Sequence, residues 1–136
     1  NYKKNIVLNN FNLMKLKNIN VVNDNSFIPT SYKNIENFLI YFIKNYKFYS
    51  NIKKTFNFCD DGDMTNPYEI CKYINKKTNI LSNENIKTIS YSDYKKLTKR
   101  PRNTMLDNAK FKEYFKFTIN DWKSEIDLLL KNIMKV

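Results

Sequence analysis

A short basic loop near the carboxyl end carries the side chains best suited to binding a charged ligand. Arg100 and Arg102 flank Pro101, and Asn103 follows directly. Proline fixes its own φ angle and disfavours helical geometry in the residue before it, so the two guanidinium groups and the amide extend from a stiff loop. A guanidinium binds phosphate through charge-assisted hydrogen bonds. The loop is therefore a candidate site for an anionic ligand.

A helix is predicted directly after this loop. Phe111 and Phe115 have helical spacing, and Asp107 stands ahead of them where its carboxylate can cap the first turn. The same carboxylate offers Arg100 another role, because an ion pair between the two would simply fix the loop. Spacing alone leaves ligand binding and loop fixing equally open.

Composition excludes several kinds of chemistry. The chain has no histidine, which removes catalytic His dyads and triads and His-bearing zinc sites. Its one glycine, Gly62, cannot supply a glycine-rich phosphate loop or a dinucleotide-binding turn. Cys59 and Cys71 are too few for a four-thiolate site, and we expect both to be reduced core residues. No residue is assigned a catalytic or metal-binding role.

The acidic stretch around the glycine predicts a turn rather than a metal site. Three aspartates occur at positions 60, 61 and 63, but the ligand spacing of an EF-hand and its closing glutamate are absent. We predict a solvated turn before a helix over Thr65–Lys77, in which Thr65 or Asn66 caps and Pro67 takes a first-turn position.

The net charge of +11 comes from 24 basic against 13 acidic residues. Such a charge can indicate a nucleic-acid or anionic membrane partner. The lysines are scattered through every segment, however, and no nucleic-acid-binding motif accompanies them. No apolar run approaches the ~20 residues of a membrane span, and no secretion signal is visible. We expect a cytoplasmic protein with neither partner, and a fragment, because the chain begins at Asn1 rather than Met.

Apolar periodicity predicts an α/β fold in which short strands alternate with helices and extend or flank a parallel sheet. The predicted strands are Ile19–Val22, Thr55–Cys59 and Ile86–Ile89. Besides those above, helices are predicted over Tyr2–Lys17, after a cap at Asn34, and from Trp122 to the end. The helix after Asn34 is expected to bury a stripe formed by Ile35, Phe38, Leu39, Phe42, Ile43 and Tyr46.

Two motifs carry a resemblance to a known family. The run R-P-R-N-x-x-L-D-x-x-K-F, followed by D-W-x-x-x-I, resembles the C-terminal signature of the dTDP-4-dehydrorhamnose reductases, which are extended short-chain dehydrogenases/reductases. The chain is also similar to the methionine adenosyltransferase beta subunit, a relative of those reductases. Residues 21–30 read V-V-N-D-N-S-F-I-P-T where the reductases carry V-V-x-D-Q-x-G-S-P-T, so Asn25, Phe27 and Ile28 depart from the pattern.

The resemblance implies a role for each candidate residue. Arg100 would reach the diphosphate of a nucleotide sugar, Asn103 a ribose hydroxyl, and Thr30 the substrate, with Pro101 and Asp107 supporting the loop. Residues 1–136 would form the C-terminal substrate-binding lobe of a Rossmann-type enzyme. NADPH or NADH would be bound by an N-terminal half that this chain lacks.

The superfamily's catalytic pair is Y-x-x-x-K, and the string occurs here four times. The tyrosines are Tyr49, Tyr68, Tyr73 and Tyr91. Four matches in a chain rich in Tyr and Lys carry little information, and the family's pair would lie upstream of Asn1. We assign none of the four a catalytic role.

Two functions follow from the resemblance. The first is reduction of a dTDP- or UDP-linked 4-keto-6-deoxy sugar with NAD(P)H, and a homodimer is compatible with it. The alternative is a non-catalytic regulatory subunit that binds a methionine adenosyltransferase catalytic subunit, which the R-P-R-N tetrad and the Tyr68-Glu69 pair favour. A third hypothesis, a free-standing basic binding module, predicts salt-sensitive retention on nucleic acid.

Overall fold

The structure, a computed structural model, describes residues 5–49, 51–93 and 101–134. Arg100 lies outside these ranges. The described chain divides into two compact units, each made of two separate stretches. The first unit contains residues 5–27, 64–93 and 101–105, and the second contains residues 28–49, 51–63 and 106–134.

The first unit is built on a pair of parallel strands. Strand β1 (Ile19–Val22) pairs with β2 (Ile86–Ile89) in the register Ile19↔Ile86 to Val22↔Ile89. Parallel strands need a long connection, and this one includes helix α4 (Pro67–Thr78), which packs on β1. Both strands lie where they were predicted, and their parallel pairing is compatible with the predicted α/β fold.

Helices α1 (Ile6–Leu13) and α4 pack on each other in the first unit. Asn66 caps α4 by accepting from the Glu69 amide at 2.9 Å, and Pro67 takes the first helical position, as predicted. The predicted Tyr2–Lys17 helix was too long at its carboxyl end, because residues 15–18 are exposed and have no apolar face to bury.

The second unit contains four helices among its described residues: α2 (Tyr32–Lys44), the single turn α3 (Tyr46–Tyr49), α5 (Ala109–Phe115) and α6 (Trp122–Met134). A short 3-10 helix, Asn83–Asn85, belongs to the first unit. The closing helix predicted from Trp122 is confirmed. Its buried apolar residues are Trp122, Ile126 and Leu130.

An aromatic cluster forms the core of the second unit. Phe111, Phe115 and Ile119 are buried at its centre. Phe38 packs against both phenylalanines, with ring centroids 4.6 Å from Phe111 and 4.9 Å from Phe115 in edge-to-face geometry. The partly buried residues around this centre are Phe38, Tyr41, Phe42, Tyr49, Ile52, Phe56, Phe58 and Phe117.

Two predictions about this unit were wrong. Residues 52–60 form no strand, although Phe56 and Phe58 do turn towards the aromatic cluster. The side chains of Phe56 and Phe58 pack against apolar partners. The backbone of residues 52–60, however, pairs with no neighbouring strand. The predicted stripe of α2 was wrong in part, since the helix presents Phe38 and Phe42 to the cluster while Ile43 is 72% exposed. The other exposed members are Ile35, Leu39 and Tyr46.

The backbone conformation and packing at position 62 require a glycine. Its φ of 106° belongs to a region that side chains disfavour, and a Cβ there would come within 3.1 Å of the Trp122 ring. The indole nitrogen of Trp122 donates to the Asp63 carbonyl at 3.0 Å, so this turn fixes the start of α6. The predicted turn is confirmed, but it is not fully solvated because Asp60 is buried.

Candidate functional site

The basic loop is attached to the segment that follows β1. The Ser26 amide donates to the Arg102 carbonyl at 2.6 Å, and the Thr104 amide donates to the Ser26 carbonyl at 2.9 Å. Backbone hydrogen bonds on both sides of Asn103 therefore hold this part of the loop. Ser26 and the loop residues from Arg102 to Thr104 are therefore neighbours within the first unit.

Asn103 is exposed and fixed in orientation. Its side-chain oxygen accepts from the Met105 amide at 2.9 Å, so the NH2 group faces away from that contact. Within the described part of the chain, the NH2 group has no hydrogen-bond partner. The predicted role as a donor to a ligand hydroxyl is compatible with this geometry and stays a prediction, as does the role of Pro101, which is exposed.

Asp24 connects the ends of the two strands, and sequence reasoning assigned it no role. Its carboxylate accepts from the Tyr91 amide at 2.6 Å and from the Ser90 hydroxyl at 2.7 Å. The Ser90 hydroxyl lowers the pKa of Asp24 most, followed by the Tyr91 amide, and the Arg102 charge adds to the effect. Its position two residues after a parallel strand was the available signal, because ligands bind at that edge of α/β sheets.

Thr30 and Asp107 lie in the second unit. Thr30 is exposed at the mouth of a cavity of about 400 Å³. The cavity is otherwise apolar, lined by Ile35, Phe38, Phe56, Phe58, Phe111 and Phe115. The geometry leaves the predicted substrate contact of Thr30 untested.

The cap of α5 differs from the prediction by one residue. Asn108 is the cap residue by backbone position, while the Asp107 carboxylate accepts from the Ala109 amide at 2.8 Å. Asn108 is drawn inward instead, because its side-chain amide donates to the Cys59 carbonyl at 3.0 Å. The alternative ion pair between Asp107 and Arg100 falls outside the described residues.

A buried polar network replaces the predicted cap at Asn34. The α2 cap is Ser31, whose hydroxyl accepts from the Asn34 amide at 3.1 Å. The side chain of Asn34 donates to Asp60 at 2.8 Å and to the Asn120 carbonyl at 3.0 Å. Burial raises the pKa of Asp60, and hydrogen bonds from Asn34 and Ser31 oppose that rise.

Two further groups of residues can be assigned structural roles. Cys59 and Cys71 are buried and unbridged, as predicted, and burial raises the pKa of Cys71 to about 11. On α4, the ammonium of Lys72 lies 5.4 Å from the Tyr68 ring, and Lys77 lies 5.2 Å from the Tyr73 ring. Two of the four Y-x-x-x-K strings are therefore cation–π pairs along a helix.

The residues that the structure describes include no group of three Cys, Asp or Glu residues able to hold a metal ion. They also include no helix long and apolar enough to cross a membrane.

The strand pairing, the alternating elements and the loop at the strand ends define an α/β domain of the kind that binds ligands beyond its strands. The chain belongs to the RmlD substrate binding domain family, which it matches over residues 1–135. No curated protein sequence matches it.

Among the solved structures that share the fold are three dTDP-4-dehydrorhamnose reductases. A dTDP-4-dehydrorhamnose reductase from Bacillus anthracis str. Ames, in complex with NADP, is 17% identical with a TM-score of 0.78 over 97% of this chain. An orthologous reductase from Clostridium acetobutylicum is 23% identical (TM-score 0.75, 93% of this chain), and one from Yersinia enterocolitica is 19% identical (0.72, 90%). The chain spans 44%, 44% and 41% of their respective lengths.

Proposed function

We propose that this chain is the substrate-binding part of an NAD(P)H-dependent reductase acting on a dTDP- or UDP-linked 4-keto-6-deoxy sugar. Membership of the RmlD substrate binding domain family over residues 1–135 carries the proposal. The position of the basic loop at the carboxyl ends of β1 and β2 supports it, because that edge is where α/β folds bind ligands.

The residues of this chain bind and orient the substrate. Arg100 binds the diphosphate and Asn103 donates its exposed NH2 group to a ribose hydroxyl. Asp24 positions the loop indirectly, because it holds the end of β1 to the residues after β2. Thr30 contacts the sugar nucleotide as a third binding residue.

The cofactor must be bound mainly by other residues of the complete protein. A dinucleotide-binding turn needs several glycines, and the one glycine here is packed against Trp122. A bound nicotinamide would supply the hydride for the C4 carbonyl. We assign the donor of the accompanying proton to a tyrosine outside this chain.

The first test is calorimetric titration of the complete protein with its dTDP- or UDP-linked sugar. We expect Arg100→Ala to weaken binding by one to two decades, because a charge-assisted contact is worth ~1.5–3 kcal/mol. Arg102→Ala is the matched control, since it removes the same charge from the same loop. It should cost at most about fivefold, as an exposed charge contributes under ~1 kcal/mol. Unchanged affinity in Arg100→Ala would remove the assignment.

A turnover assay separates reduction from regulation. The complete protein should oxidise NADPH or NADH when given a dTDP- or UDP-linked 4-keto-6-deoxy sugar. Absence of turnover, together with copurification of a methionine adenosyltransferase catalytic subunit, would instead establish the regulatory alternative.

A further inference from the structure

A second concave surface in the second unit lies outside the candidate site described above. It is an open pocket with a volume of about 770 Å³. Its lining residues include Lys54, Phe56, Lys110, Glu113, Tyr114 and Lys116. A volume of this size is within the range of pockets that bind small molecules.

Two aromatic rings form the apolar wall of this pocket. The ring centroids of Phe56 and Tyr114 lie 5.0 Å apart at an interplanar angle of 41°. The Lys54 ammonium lies 5.4 Å from the centroid of the Tyr114 ring. This cation lies over one face of Tyr114, so a flat ligand that contacts the two rings meets an aromatic surface that already carries a counter-charge.

Charge in the pocket favours an anion. The pocket lining includes three lysines, Lys54, Lys110 and Lys116, and one carboxylate, that of Glu113. Within the described ranges, neither Lys110 nor Lys116 forms an ion pair. Their charges are therefore available to a ligand.

Lys116 adopts a backbone conformation that lysine disfavours. It ends α5 with φ 50° and ψ 35°, in the left-handed region, and its amide donates to the Lys112 carbonyl. Glycine or asparagine normally takes this position, and α4 ends in the same way with Asn79 at φ 49°. Strained residues concentrate at functional sites, and here the strained residue is one that lines a cavity.

We propose that this pocket binds a ring-bearing polyanion of the nucleoside polyphosphate class. The ring lies against Phe56 and Tyr114, and the phosphate groups lie among Lys54, Lys110 and Lys116. Both chemical features are needed, because the pocket combines an aromatic wall with excess positive charge. The proposal uses none of the residues assigned to the sugar-nucleotide site and holds whether or not that assignment is correct.

The test is an NMR titration of the complete protein with ATP, read at the Tyr114 ring resonance and assigned with Tyr114→Phe. We expect a saturable shift with ATP and much weaker responses to tripolyphosphate or adenosine alone. This local readout separates the pocket from nucleotide sites elsewhere in the protein. No shift at Tyr114, or equal responses to ATP and tripolyphosphate, would overturn the proposal.

Variants of Lys116 distinguish binding from folding. Lys116→Asn removes the charge and relieves the backbone, so ATP affinity should fall by about three- to tenfold while the melting temperature stays equal or rises. Lys131→Asn removes the same charge from an exposed position on α6 and should leave ATP affinity unchanged. Equal losses in both variants would show general electrostatic attraction and contradict a specific pocket.

A substitution at Glu113 should change the ATP affinity in the opposite direction from the lysine variant. Glu113→Gln removes the one carboxylate from the pocket lining and should strengthen ATP binding by about two- to fivefold, since like charge opposes the phosphates. Weaker binding in this variant would place the phosphate groups elsewhere.

Discussion

Each unit contains an aspartate that connects distant parts of its chain. The surroundings of the two carboxylates shift their pKa values in opposite directions. Asp24 in the first unit is half-buried, and its pKa is lowered by the Ser90 hydroxyl and the Tyr91 amide. Asp60 in the second unit is 1% exposed, and burial raises its pKa despite hydrogen bonds from Asn34 and Ser31. One carboxylate stays ionised readily at the edge of a strand pair, while the other sits within the packed interior.

This difference follows from how each unit supplies hydrogen-bond partners to its backbone N–H and C=O groups. The first unit pairs its two strands directly, and Asp24 extends that pairing at the open end where the basic loop attaches. The described second unit has no strand pair, and its backbone connections include the isolated parallel bridge between Asp61 and Asp121, so side chains supply much of the connection between segments. Its stability therefore depends on aromatic packing and on the buried network around Asp60.

The largest expected effect is in the aromatic cluster. Phe111 is 3% exposed and has ring partners at 4.6 Å (Phe38), 4.8 Å (Phe115) and 4.9 Å (Phe58). Phe111→Ala should lower the free energy of unfolding of the complete protein by about 3–5 kcal/mol, through lost burial and the cavity left behind. Chemical denaturation measures the change.

The control for this substitution is Phe48→Ala. Phe48 is 84% exposed, so its truncation should change the free energy of unfolding by under about 0.5 kcal/mol. Similar losses at both positions would contradict a stability that depends on the cluster.

The second-largest loss in the free energy of unfolding is expected from the buried network around Asp60. Asn34→Ala leaves Asp60 without one donor and the Asn120 carbonyl without another. Each acceptor keeps a second donor, the Ser31 amide for Asp60 and the Asp61 amide for the Asn120 carbonyl. The two lost hydrogen bonds should therefore cost about 1–3 kcal/mol together, between the aromatic and surface substitutions. Asn37→Ala, on the same helix and only half-buried, is the matched control. Equal unfolding curves for the two variants would show that the network adds nothing.

The two aspartates should respond to acid with opposite signs. The folded pKa of Asp24 lies below its ordinary 3.8, so its contribution to stability is present above pH 3.8 and is lost as pH falls through the folded pKa. The folded pKa of Asp60 lies above 3.8, so its contribution is complete below pH 3.8 and is lost as pH rises through the folded pKa. Carboxyl 13C titrations should place the two midpoints on opposite sides of 3.8. Midpoints on the same side would remove the contrast between the units.

The same contrast explains which parts of the fold could be predicted. Local signals define the first unit, since β-branched runs, the Asn66 cap and Pro67 each act within a few residues. The second unit depends on partners far apart in sequence. Asn34 resembled a cap, but Asp60 and Asn120 draw it inward, and no local pattern contains that information.

The loop of the candidate site could be predicted from the sequence. The hydrogen bonds of Asp24 that support it could not. Proline beside two arginines identified the stretch, and its attachment after β1 is compatible with the resemblance. Asp24 was overlooked because its partners, Ser90 and Tyr91, are 66 and 67 residues away. Strand pairing brings them together, and pairing partners are not encoded by spacing within one segment.

The smallest expected effect compares the ends of two helices, one in each unit. Asn79 and Lys116 have nearly the same left-handed backbone, but asparagine tolerates it better than lysine. Lys116→Gly should therefore raise the free energy of unfolding by about 0.5–1 kcal/mol, and Asn79→Gly should change it less. Thermal unfolding of both variants measures the difference. A loss of stability in Lys116→Gly would mean that its side chain contributes more to the fold than its backbone costs. A gain would mean that the second unit keeps a less stable helix end together with an ammonium group in its pocket.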